Sequence, residues 1–116
     1  MQQKILTKEI EKRLGKYPIY SQSDKGGDAK VLLKVFNPYG AGTWVVLEAE
    51  KSGDDWYCFG VVDLGYGPEY GYFMLNELIN FRHPRYPMLG LEREKYESSG
   101  RYTLKEVFPE LFEGVA

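Results

Sequence analysis

Cysteine and histidine occur once each in this chain, as Cys58 and His83. A single thiol excludes an internal disulfide, and one ligand of each kind cannot make the four-ligand set of a structural zinc site. No apolar run reaches the roughly 18 residues that a membrane-spanning helix needs. Residues 1–20 carry charges throughout and lack a signal-peptide core, so the expected location is cytoplasmic. Neither sign of charge dominates: 15 Lys and Arg face 17 Asp and Glu, a net charge of −2. That balance gives no basic stripe for neutralising phosphates and no acidic surface strong enough to mimic DNA. Charge names no partner, and the composition calls for no cofactor and no metal.

Large side chains are plentiful instead. Ten Tyr, six Phe and two Trp can build one core, so residues 1–116 are expected to form a single domain. Thr7 is placed to cap a short helix in which Ile10 and Leu14 share a face, with Gly15 as its stop. SQSDKGGD (21–28) reads as a polar loop. AKVLLKVF (29–36), TWVVLEAE (43–50) and WYCFGVVD (56–63) alternate as strands do, and a fourth short strand is expected around Tyr70–Phe73. With residue 50 opposite 56, Val45, Leu47, Phe59 and Val61 share one apolar face, which Val31, Leu33 and Val35 join as a single core. The same register puts Glu48 opposite Cys58. LNELINF (75–81) reads as a short helix, HPRYPMLG (83–90) as an irregular crossing, and Thr103-x-x-Glu106 as a capping box before a helix that Pro109 interrupts. The expected fold is α+β: an antiparallel sheet of about four strands, with short helices at both ends packed on one face.

No constellation announces catalysis. Cys58 has no neighbouring base to make it a thiolate, and a carboxylate opposite it opposes ionisation. Gly65, Gly67 and Gly71 do not have phosphate-loop spacing; Pro68 removes an amide donor and a strand follows. No catalytic residue is assigned. The aromatic group is the feature that points outward, because Tyr and Trp anchor protein interfaces. Trp56, Tyr66, Tyr70 and Tyr72 are the candidate protein contacts. Arg82, His83, Arg85 and Arg93 are the candidate contacts for an anion.

LTKEIEKRL (6–14), YSQSDKG (20–26), the Trp44–Gly60 hairpin with its FG, GYF (71–73) with LNEL (75–78), and LGLERE (89–94) follow one another in a recognisable order. Together they resemble a small uncharacterised family of bacterial domains of unknown function, carried on plasmids, phages and integrative elements. The resemblance spans roughly residues 5–107. It implies an accessory role in transfer, maintenance or evasion of host defence, and transfers no catalytic residue. Met74 departs from the pattern where a small polar residue precedes the Leu, so the 75–81 helix needs another cap, for which Asn76 is the candidate. Pro109 is a second departure.

The expected function is a non-enzymatic accessory protein of a mobile genetic element, acting by binding a host or element-encoded protein. Two alternatives stand beside it. One is a nucleic-acid-associated module using Arg82, Arg85, Arg93, Lys95, Arg101 and Lys105. The other is a small enzyme built on carboxylates such as Glu48, Asp63 and Glu69. No membrane partner is expected.

Overall fold

Thr7 starts the first helix, α1 (Lys8–Leu14), by accepting the Ile10 N–H on Oγ1 at 3.2 Å. That bond satisfies one of the donors left open in a first turn. The structure, a computed structural model, describes residues 4–113. After a 3₁₀ turn at Gly26–Asp28, five strands form one antiparallel sheet: β1 (Leu33–Phe36), β2 (Thr43–Ser52), β3 (Asp55–Asp63), β4 (Pro68–Met74) and the two-residue β5 (Glu92–Arg93). Their order is β4-β3-β2-β1-β5. Helix α2 (Leu75–Asn80) continues from β4, and α3 (Leu104–Val107) leads to a 3₁₀ turn at Pro109–Phe112. Glu106 and Thr103 make the capping box that their spacing predicts. The fold is α+β, with β5 as a fifth strand.

The helices cover both faces of the sheet rather than one. Alternating residues of β2 and β3 are apolar in both directions. Val46, Ala49, Trp56 and Cys58 pack with Ile10 and Leu14 of α1 and with Leu75 and Leu78 of α2. Val45, Leu47 and Val61 pack on the other side with Leu104 and Phe108. The single expected core is therefore two. Val31 belongs with Leu104, whereas Leu33 and Val35 belong with α1, because the chain before β1 is irregular. There Lys30 bridges Thr103, and the Val31 N–H donates to the Tyr102 carbonyl at 2.9 Å.

The hairpin register also differs from expectation beyond Val46. Val45 pairs with Val61 as predicted, but Leu47 bulges out, so Glu48 pairs with Phe59, Ala49 with Cys58 and Lys51 with Trp56. The turn is the tight Gly53–Asp54 pair between Ser52 and Asp55, with Gly53 at φ 62°. A two-residue hairpin favours glycine at such a position, and one extra residue in β2 absorbs the offset. Gly60 lies close against β2: a Cβ there would lie 1.7 Å from the Val45 carbonyl oxygen. The cap for α2 comes from Asp55, not Asn76. Asp55 Oδ1 accepts the Asn76 N–H at 2.9 Å from the neighbouring strand.

Candidate functional site

Because Leu47 is unpaired, it and Glu48 point to the same side of the sheet. Glu48 is only 2% exposed. Its Oε1 accepts the Tyr20 N–H at 2.8 Å, and Oε2 accepts the Gln22 N–H at 2.8 Å and the Ser23 hydroxyl at 3.2 Å. Burying a carboxylate is costly unless donors replace its water, and these three do so. Tyr20 takes a left-handed conformation at φ 75°, rare for a bulky residue, and the bond to Glu48 helps to hold it there. Gln22 is buried beside it. Its Nε2 donates to the carbonyls of Leu47 at 2.7 Å and Lys30 at 2.9 Å, and its Oε1 accepts the Lys30 N–H at 2.7 Å. The YSQSDKG segment is thus a loop built around one carboxylate.

Next to this loop the sheet is uncovered. Phe59 pairs with Tyr72 and Val61 with Tyr70, so Tyr57, Phe59, Tyr70 and Tyr72 line one face of β3 and β4. Tyr57 and Tyr72 stack with centroids 5.3 Å apart and planes 10° from parallel. Phe59 and Tyr70 stack at 5.9 Å and 7°. Tyr70 and Tyr72 are each 50% exposed. Loss of hydration raises the Tyr70 hydroxyl above its ordinary pKa. It raises Tyr72 as well, reinforced by Tyr20, Tyr57 and Glu48. A cleft of about 260 Å³ opens here, lined among others by Phe59, Tyr70, Gln22, Ser23, Glu48 and Leu104.

Of the candidate protein contacts, the structure brings Tyr70 and Tyr72 together. Tyr66 stands apart at the β3–β4 tip, 97% exposed, where Asp63 Oδ1 accepts the Gly65 and Gly67 amides. Trp56 is a correction. It lies in the α1–α2 core at 7% exposure, because α1 and α2 cover the face of β3 on which it sits; its partner on β2 is Lys51, whose ammonium sits 5.0 Å from its ring centre. Tyr57 and Phe59 take its place in the patch. The period-2 pattern of β3 placed Tyr57 and Phe59 on this face; it did not show that nothing described covers that end.

The anion candidates are engaged locally. Arg82 donates to the carbonyls of Ile79 at 3.0 Å and Phe81 at 2.7 Å, finishing α2. Arg93 donates to the carbonyls of Lys4 and Ile5. His83 Nδ1 accepts the Arg85 and Tyr86 amides, each at 3.1 Å, and the Arg85 guanidinium rests 5.9 Å from the Tyr86 ring centre. Positive charge gathers elsewhere. Lys12, Arg13, Lys16 and Lys30 line a groove of about 310 Å³ together with Glu9 and Ser99. Ser99 also borders a cleft of about 600 Å³ with Lys95, Arg101, Tyr96, Tyr102 and Glu106. Lys105 is paired with Asp28 at 2.8 Å instead.

Cys58 is fully buried on the face away from Glu48, and burial, with Asp55 second, pushes its thiol up to about 12. The three carboxylates singled out from the sequence do not converge. Glu48 holds the loop, Asp63 holds the hairpin tip, and Glu69 pairs with Val62 on the other face.

Neither a curated protein nor a solved structure matches the chain. A family described as a protein of unknown function, DUF2958, matches residues 5–103, and the chain belongs to that family.

Proposed function

We propose that this protein is a non-enzymatic accessory protein of a mobile genetic element, acting in the cytoplasm by binding another protein through the aromatic face of β3 and β4. The observation that carries the binding role is the Tyr57, Phe59, Tyr70 and Tyr72 patch, ordered by stacking yet half open to solvent. Rigid aromatic side chains lose little freedom on docking and dominate interface energy. The β4 edge beside the patch has no strand on its outer side among the described residues. The mobile-element setting, with evasion of host defence as one role, rests on the motif resemblance. The test is co-purification from the host with cross-linking, native protein beside a Tyr70→Ala/Tyr72→Ala variant. A defined protein captured by the native chain and lost with the variant supports the reading. Equal capture by both ends it.

The pair of clefts that share Ser99, one lined by Lys12, Arg13, Lys16 and Lys30 and the other by Lys95 and Arg101, favours a second reading, binding of single-stranded nucleic acid. It combines clustered cations with Tyr96 and Tyr102 as stacking surfaces. Affinity would then fall with salt at a log–log slope of about −0.7 per neutralised phosphate. Charge reversal at Lys12, Lys16 and Arg101 would weaken it more than loss of Tyr70 and Tyr72.

A further inference from the structure

We propose that the Glu48 cleft is a receptor for a cationic side chain, a lysine or arginine presented by the protein partner. This rests on the reading of the β3–β4 face as a protein-binding surface and names the chemistry at its centre.

Four observations converge. The Glu48 carboxylate accepts three hydrogen bonds, all from neutral groups: two backbone amides and the Ser23 hydroxyl. No Lys or Arg among the described residues forms an ion pair with it. Its negative charge is therefore positioned but not neutralised, in surroundings drier than water, where a charge acts further. Phe59 and Tyr70, stacked on each other with centroids 5.9 Å apart, supply one aromatic wall. Aromatic faces attract cations, most strongly when water is excluded, and a guanidinium can also stack on them. The remaining lining includes Ala29, Leu47 and Leu104, an apolar surface suited to the methylene stem of a long cationic side chain. The volume, about 260 Å³, lies below the ~300–1,000 Å³ of drug-sized sites and suits one side-chain head with its stem. An anion meets the Glu48 charge here, and a neutral apolar group leaves it unused. The cation is the class that uses every wall.

Tyr20, Gln22 and Ser23 are fixed by Glu48 before any ligand arrives, so the carboxylate has no reorganisation left to make on binding.

The experiment is an amide-resolved NMR titration of the full chain with N-acetyl-arginine amide and N-acetyl-lysine amide, and with N-acetyl-citrulline amide as the uncharged isostere of arginine. Saturable shifts are expected at the Tyr20, Gln22 and Tyr70 amides for at least one cationic probe. Citrulline amide should bind at least tenfold more weakly. Glu48→Gln should abolish the difference, but that variant removes a loop acceptor and can unfold the segment. Tyr70→Leu is therefore the second variant. It keeps every Glu48 bond and should weaken the cationic probe at least threefold. Equal binding of arginine and citrulline amides overturns the proposal, as does absence of shifts at these amides or indifference to Tyr70→Leu. The outcome is separable from the docking reading. Partner capture that depends on Tyr70 and Tyr72 without any cationic probe binding leaves the surface standing and removes the cation. Probe binding without Tyr-dependent capture does the reverse.

Discussion

The side-chain amide of Gln22 donates to the carbonyl of Leu47 at 2.7 Å, so a loop residue completes the one place where β2 leaves its ladder. A bulge exposes a backbone acceptor, and a buried acceptor without a donor costs about 1–3 kcal/mol. Gln22 also serves both backbone groups of Lys30. Gln22→Leu orphans these three groups at once and is expected to lower stability by about 2–5 kcal/mol in urea unfolding. A loss below about 1 kcal/mol would mean that water replaces the amide without penalty.

Two glycines of neighbouring strands make a matched pair for substitution. Gly60→Ala drives a methyl into the Val45 carbonyl and is expected to abolish soluble expression or to cost more than about 3 kcal/mol. Gly71→Ala meets nothing within 4 Å and should be tolerated within about 1 kcal/mol. If the two variants melt alike, the close approach of β2 at Gly60 is wrong.

Truncations should sort by face. Leu47→Ala removes a side chain packed against Leu104 and its neighbours and is expected to cost about 2–5 kcal/mol. Trp56→Ala should cost about 3–5 kcal/mol, since the indole fills the α1–α2 core. Tyr72→Ala, half exposed, should stay within about 1 kcal/mol while affecting binding. Chemical denaturation of the three variants decides it, and a Tyr72 cost equal to that of Trp56 would make the patch structural.

Alkaline pH supplies a further check. Burial raises the Cys58 thiol from its ordinary 9.0 to about 12, so the unfolded chain releases that proton first. The stability involved is complete below about pH 9 and is lost as pH rises from about 9 to about 12. The raised Tyr70 and Tyr72 hydroxyls act in the same direction at higher pH. Urea unfolding at pH 10 should show about 1–2 kcal/mol less stability than at pH 8, with a smaller drop for Cys58→Ala. Identical drops in the two proteins would contradict the assignment.

Local rules carried the sequence a long way. The Thr7 cap, the Thr103–Glu106 box and the Val45–Val61 pairing depend on residues close together or on strict alternation, and all are present. The Leu47 bulge was invisible because alternation assumes an unbroken ladder, and one extra residue moves every later partner. Its cost was Phe59, paired with the wrong residue; Trp56 was placed outside for another reason, the expectation that helices cover only one face. Tyr70 and Tyr72 were legible as a cluster, but Glu48 beneath them was not. Its bonds to Tyr20, Gln22 and Ser23 cross at least 25 positions of chain, and no local spacing encodes them.

Arg13 ties both ends of the chain to the middle. Its guanidinium donates to the Leu32 carbonyl at 3.2 Å and to the Ser98 carbonyl, 85 positions away, at 2.7 Å. During synthesis from the N-terminus, α1 therefore leaves the ribosome long before its anchor exists. Until residue 98 emerges, its arginine and the free edge of β1 wait together. The apolar contacts of α1 with β2 and β3 need no residue beyond Cys58, so it is the final fastening of the first helix, not its docking, that translation times.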